Sequence, residues 1–338
     1  MLPLVCADLP PLTGSISEAA GEEVLAKQPA GTGGHWWIRV RKDGLGTQQV
    51  RDALARAVQR DADIVSDAGN RDRKGVFTQW FSIPADAIDH PGPLRRAGAH
   101  NKMKVLEISA GHKPFTVASV ERIRWKLRIA GAAADNGYHR AKTIMDRLRH
   151  DGLANYVGSE RFGPDGNLAR WGKALASGER LPPSVLAKTE HGRCLRAFQE
   201  QAFNRFVGRR LVDGLLGKAL VGDVLRSRLG QEFVVEDPAA AQKRLDTWEA
   251  VVLGPVPGAD FLPTVGEAGE REVAWLAEEG LSTSVLERLR PSERRALRCQ
   301  PAKVTIDPEG ADVVVSCELP ADVYVSVLAE ELAAPRTT

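Results

Sequence analysis

Asp72 lies in the run Ala68-Gly69-Asn70-Arg71-Asp72-Arg73-Lys74-Gly75, a carboxylate among cations in a glycine-bracketed loop. A carboxylate can attack an electrophilic carbon, steady positive charge on it, or take a proton. To stay ionised in a cleft it needs a cationic neighbour, because burial alone raises a carboxyl pKa. Arg71 is the adjacent cation, and Arg161 is a second candidate. Taken alone, an aspartate in such a loop equally reads as a turn residue. A second chemistry is suggested by Arg122, Arg124, Lys126, Arg128, Arg140, Lys142, Arg147 and Arg149, which face only Asp135 and Asp146 within the same stretch. Such a local excess suits phosphates, although a charge run can also be a solvated helix face. Cys6, Cys194, Cys299 and Cys317 are scattered, with no CxxC pair and no histidines at zinc-ligand spacing, so they read as reduced and structural. His112 stands alone and reads as a surface or hydrogen-bonded residue.

These side chains need elements to hold them. Trp36 to Arg41 has strand composition and ends in an Asp43-Gly44 turn. From Thr47 to Arg60, Val50, Leu54, Ala57 and Val58 recur at helical spacing, with Thr47 available as N-cap. The Asp72 loop then delivers the chain into a strand ending on Gln79-Trp80-Phe81-Ser82-Ile83. Lys104 to Ile108 reads as a short strand. In the longer one that follows, Ile123, Trp125, Leu127 and Ile129 alternate with Arg122, Arg124, Lys126 and Arg128. One face is apolar and the other cationic, a platform for an RNA backbone. A helix from His139 to His150 precedes the tight loop Asn155 to Gly163.

After Pro164 the pattern turns helical, over Leu168 to Ser177, Cys194 to Leu216, Gln242 to Val251, Glu270 to Glu279 and Ser284 to Leu289, separated by stretches such as Gly254-Pro255-Val256-Pro257-Gly258. Strand character returns from Ala302 to Leu319, followed by a helix from Val323 to Leu332. A sheet domain built from both chain ends and interrupted by a helical insertion accounts for this order. With 43% apolar and 27% charged residues the chain is globular rather than disordered. Met1 to Thr13 has no basic segment leading into an apolar run, and no later stretch approaches a membrane span, so the expected location is the cytoplasm. A net charge of +2 neither requires nor excludes a nucleic-acid partner.

Ala68 to Trp80 resembles the signature of the TruD family of pseudouridine synthases, an Ala-Gly-x-Lys-Asp loop followed by a basic pair, a Val and a Gln-Trp. Asn155-Tyr156-Val157-Gly158-Ser159-Glu160-Arg161-Phe162-Gly163 is similar to a second family block, departing at Val157 and Glu160. Ala202-Phe203-Asn204, Gly222-Asp223-Val224-Leu225, Gly254 to Gly258, Arg294 to Leu297 and Leu319-Pro320-Ala321 through Leu332 follow in family order. One short pattern would mean little, but ordered blocks at compatible spacing are specific. The resemblance implies an α+β protein. Its pseudouridine-synthase mixed-sheet catalytic domain would span 1–163 and 294–338, with an inserted helix-rich TruD domain at 164–293. It also implies an isomerase that moves uracil from an N1 to a C5 glycosidic bond in RNA, tRNA above all, with Asp72 as the catalytic residue and no metal or cofactor. Arg71 holds the family's Lys position, while Asn155, Tyr156 and Arg161 would shape the substrate site.

Departures cluster at substrate-binding positions. The family's Lys-x-x-Pro-Glu-Asp-Phe block has only Glu22-Glu23-Val24 to match it, with Glu18 at the Lys position. The Gly-Asn-x-Phe block, whose Phe stacks on the target base, falls on Val120-Glu121-Arg122-Ile123 if segment lengths are kept, or near Asn136-Gly137-Tyr138 if residue types are matched. Keeping lengths preserves the strand, places Ile123 at the Phe position and leaves Trp125 or Tyr138 to supply the aromatic surface. Three readings follow: a divergent tRNA synthase, a synthase acting on a smaller uridine-containing substrate in C-nucleoside antibiotic biosynthesis, or an RNA-binding protein that kept the fold without catalysis.

Overall fold

The structure, a computed structural model, describes residues 2–71, 75–97, 102–186 and 190–333, with Leu186 by its backbone alone. The chain forms two compact units, one of Leu12–Ala141 and Ala302–Asp322, the other of Met1–Pro11, Lys142–Pro301 and Val323–Thr338. This contact boundary is a different partition from the family-type division at 163 and 294.

The first unit is built on a mixed sheet. Its strands are β1 (Ser15–Leu25), β2 (His35–Asp43), then after helix α1 (Thr47–Ala57) the short β3 (Ser66–Asp67) and β4 (Val76–Pro84), and after helix α2 (Gly92–Ala97) β5 (Met103–Gly111) and β6 (Val120–Ala130). The strands Ala302–Glu309 and Asp312–Pro320 add an edge, giving the order Ala302–Glu309, Asp312–Pro320, β6, β1, β4, β2, β5, with β3 paired to β4. Only β1 and β4 run parallel; the other pairings are antiparallel. The sheet thus joins both chain ends, as the sequence pattern implied.

Alternation explains most of these strands. Ile38 and Val40 of β2 and Phe81 and Ile83 of β4 point to one face, where Val50, Leu54 and Ala55 of α1 and Leu94 of α2 close the core. Removing such side chains from water is worth ~1.5–3 kcal/mol each. Helix α1 starts one residue earlier than expected. Gly46 is its N-cap, its N–H donating to Gln49 Oε1 at 2.9 Å, which leaves the Thr47 hydroxyl for another task. Strand β1 was not legible from composition, since SISEAAGEEVL is rich in Gly, Ala and Glu. Its position between β6 and β4 makes it a strand, because both edges find hydrogen-bonding partners there.

In the second unit the long helix His191–Val212 carries buried side chains around its circumference and packs on Asn167–Ala176. Gly172 allows that approach, since a Cβ there would lie 2.0 Å from the Cys194 carbonyl oxygen. This unit also holds a four-stranded antiparallel sheet, Glu293–Ala296, Ala250–Val256, Val224–Ser227, Glu232–Val234. The helix expected over Gln242 to Val251 is therefore corrected: Pro238–Asp246 is helical, Trp248 takes a positive φ of 58°, and Ala250–Val256 enters the sheet despite Pro255. All four cysteines are buried thiols. Among the described residues no helix is long and apolar enough to cross a membrane.

Gly21 of β1 shows how tightly the sheet face is filled. A Cβ at this position would lie 2.4 Å from the Phe77 ring and 2.8 Å from that of Trp125. Gly21→Val should cost about 1–3 kcal/mol by overpacking, read as a lower urea midpoint with an unchanged slope, and Phe77→Leu in the same chain should restore part of it. Parental stability in the single variant would contradict this packing.

Candidate active site

The Asp72 loop leaves β3 and enters β4, and the residues on both sides of Asp72 are tied to the sheet. Gly69 (φ +103°) and Gly75 (φ +85°) take conformations that glycine alone adopts without strain, and a Cβ on Gly75 would meet the Ala19 carbonyl oxygen at 2.4 Å. The Gly69 N–H donates to Asp67 Oδ1 at 2.7 Å, and the Gly69 carbonyl accepts from Gln79 Nε2 at 2.9 Å. Gln79 Oε1 accepts the Thr47 hydroxyl at 3.0 Å, and Thr47 Oγ1 accepts the Arg71 N–H at 3.0 Å. Lys42 Nζ donates to the carbonyl oxygens of Leu45 (2.9 Å) and Arg71 (3.2 Å). Asp72, with Arg73 and Lys74, falls outside the described residues.

Arg71 points inward. Its Nε donates to Glu23 Oε1 at 2.8 Å, and Glu23 Oε2 accepts the Trp80 N–H at 2.7 Å. Burial pushes the Glu23 carboxyl up, opposed by the charge and hydrogen bond of Arg71 and by the Trp80 amide. The Arg71 side chain is 12% exposed and committed to Glu23.

Four members of this network, Glu23, Lys42, Thr47 and Gln79, were absent from the sequence-derived site. Two carried a signal. Lys42 continues the buried phase Ile38, Val40, Lys42 of β2, and Gln79 sits in phase with Phe77, Phe81 and Ile83 of β4. A lysine 1% exposed and a glutamine fully buried at core-facing positions mark residues kept for their polar groups.

The other expected substrate contacts differ in exposure. Ile123 and Trp125 are 3% and 6% exposed on the packed face of β6, and the Trp125 ring meets Phe77 edge-on with centroids 5.6 Å apart. Neither offers an open face for a base. Tyr138, at the start of helix α3 (Gly137–Asp151), is 39% exposed with its ring against His139. Asn155 is buried, donating to the Ala296 carbonyl at 3.0 Å and accepting from Arg295 at 2.7 Å. Tyr156 is buried with its hydroxyl on the Pro3 carbonyl at 2.9 Å, and burial raises its pKa. Tyr156 also lines a cavity of about 420 Å³ with Val157, Gly158 and Phe162. Arg161 is held by Glu200 through Nε and a terminal nitrogen at 3.2 and 3.0 Å.

The cationic face of β6 is exposed as expected, but it is matched by carboxylates on the two adjoining strands and on Ala302–Glu309 beyond them. Arg124 pairs with Glu318 (2.8 Å) and Glu22 (3.4 Å), Lys126 with Glu309 (3.5 Å), and Arg128 with Glu309, Asp312 (3.2 Å) and Glu18 (3.7 Å). Arg122 donates to the Glu318 carbonyl at 2.8 Å. Burial pushes Glu318 up, but bonds from Arg124 and Lys303 outweigh it and hold the carboxyl below its usual range. Arg128 depresses Glu309 in the same way. The cations of this face thus stand in a lattice of ion pairs, with Arg124 and Lys126 still half exposed. On α3, Arg140 pairs with Asp135, Lys142 with Asp146, and Arg147 with Asp8 and Asp151, whereas Arg149 has no ion pair among the described residues.

The family model described as tRNA pseudouridine synthase D (TruD) matches residues 13–180 and 194–332. The chain belongs to the TruD family. The TruD blocks at Ala68 to Trp80 and Asn155 to Gly163 both lie within that match. A tRNA pseudouridine synthase D of Anaeromyxobacter dehalogenans strain 2CP-1 is 34% identical over 345 residues, covering 98% of this chain and 96% of the relative. One from Aeromonas hydrophila is 28% identical over 92% of this chain and 86% of its own. The crystal structure of a Methanosarcina mazei TruD protein shares the fold, with a TM-score of 0.74 at 18% identity over 97% of this chain and 95% of that one.

The Glu23–Arg71 pair can be tested within the TruD loop. Glu23→Ala should cost about 3–5 kcal/mol by leaving a largely buried guanidinium unpaired, while Glu23→Met with Arg71→Met together should recover most of it. Denaturant titration of the two singles and the double gives the coupling; an additive cycle would contradict it.

Proposed function

We propose that this TruD-family chain isomerises uridine to pseudouridine in tRNA, with Asp72 as the catalytic carboxylate. The observation that carries the reading is identity of 34% along 98% of the chain with a relative named tRNA pseudouridine synthase D. Neither an antibiotic-pathway substrate nor a binding-only role has a finding in its favour. The reaction breaks C1′–N1, turns the uracil and joins C5 to C1′; the hydrogen leaving C5 is balanced by one gained at N1, so composition is unchanged. In this scheme Asp72 attacks C1′, or stabilises positive charge there while a ribose proton is removed. Either route needs a carboxylate fixed relative to the sugar, and the loop on both sides of Asp72 is anchored at Gly69, Arg71 and Gly75.

Within this reading, residues 1–163 and 294–338 are the catalytic domain and 164–293 the inserted TruD domain, a division by role that draws on pieces of both compact units. Tyr138 is the exposed aromatic assigned to the base, and Arg149 the α3 cation assigned to a phosphate. Action on tRNA places the chain in the cytoplasm.

Asp72→Asn keeps the side-chain shape and removes the charge. It should lower pseudouridine formation in a tRNA transcript by at least about 1,000-fold, read by carbodiimide labelling and primer extension, while tRNA affinity stays close to wild type. Turnover near the wild-type rate would overturn the assignment.

A further inference from the structure

A cavity of about 640 Å³ lies in the sheet unit where β1 and β5 end and β2 begins, lined among others by Trp37, Gly111, Lys27, His112 and Lys113. Its floor is aromatic. Trp37 is part-buried, its indole N–H donates to the Lys113 carbonyl at 2.9 Å, and Gly111 leaves room for it, since a Cβ there would fall 2.3 Å from the ring. Its rim is basic: Lys27, His112 and Lys113 are exposed, none has an ion pair among the described residues, and no aspartate or glutamate lines the cavity. This reverses the pattern on β6, where the cations are matched by carboxylates. Behind Trp37, Phe115 packs edge-on at 4.6 Å between centroids and stacks in turn on Trp80 at 6.2 Å, in a cluster that includes Ala68, the first residue of the Asp72 loop. The cavity therefore abuts the same packed wedge that supports that loop.

We propose that this groove holds a nucleotide of the RNA strand that carries the target uridine, with its base on Trp37 and its phosphates on Lys27 and Lys113, beside His112. The inference rests on the uridine-isomerase reading above. The volume falls in the range of small-ligand sites, and aromatic surface bordered by unpaired cations is how single-stranded nucleic acid is held without base readout. An uncompensated basic rim also complements a phosphodiester strand better than an apolar or basic partner.

The test uses the full chain with Lys27 and Lys113 both changed to Glu, exposed positions whose replacement leaves the core intact, checked by thermal melting. Binding of a tRNA transcript should weaken at least about tenfold near 0.1 M salt, and the log–log salt slope should fall by about two units as two phosphate contacts are lost. Trp37→Leu should weaken binding of a short uridine-containing oligonucleotide, with Trp37→Phe restoring most of it. Unchanged tRNA affinity and slope in the double variant would overturn the proposal. So would a double variant that loses binding of uridine monophosphate while keeping that of tRNA, since the groove would then serve a free nucleotide. Asp72→Asn provides the separate control: its loss of turnover with affinity retained upholds the isomerase reading whatever happens at the groove.

Discussion

Glu23 reaches Arg71 across 48 residues of sequence, and its second oxygen takes the amide of Trp80, so one carboxylate joins β1, the Asp72 loop and β4. Lys42 and Thr47 grip the same residue through its backbone, from the end of β2 and the start of α1. A loop with glycines at both ends would otherwise be free to wander. The network converts the glycines from a source of freedom into a means of close approach: Gly75 lies against the Ala19 carbonyl because it has no side chain to keep it away.

That arrangement places buried charge under the loop, and buried charge is tolerated only when it is paired and hydrogen-bonded. Glu23 meets the condition with the Arg71 guanidinium and the Trp80 amide, and Lys42 is hydrogen-bonded to two carbonyl oxygens. Mutual satisfaction makes each partner costly to remove, which ties Gly69 and Arg71 to the sheet.

Charge pairing also separates two kinds of basic surface that look alike in one dimension. The β6 cations pair with Glu18, Glu22, Asp312 and Glu318 on the two strands that flank them and with Glu309 one strand further out. Lys27, His112 and Lys113 have no such partners among the described residues and surround an aromatic floor. The second surface carries fewer charges but leaves more of its field unneutralised, and that field is what a phosphate meets.

The family blocks around Asp72 and Asn155, the alternation of β2, β4 and β6, and the α+β order of elements were all legible in the sequence, because periodicity and short motifs are local properties. What the side chains face was not. Strand β1 has a composition that argues against a strand, and only its two paired edges make it one. The basic face of β6 reads as open until register sets Arg124 opposite Glu318 and Glu22. The polar groups of Asn155 and Tyr156 look available until Arg295, Ala296 and Pro3 engage them. In each case the deciding partner lies far away along the chain, and the sequence does not show which partner the fold will bring across.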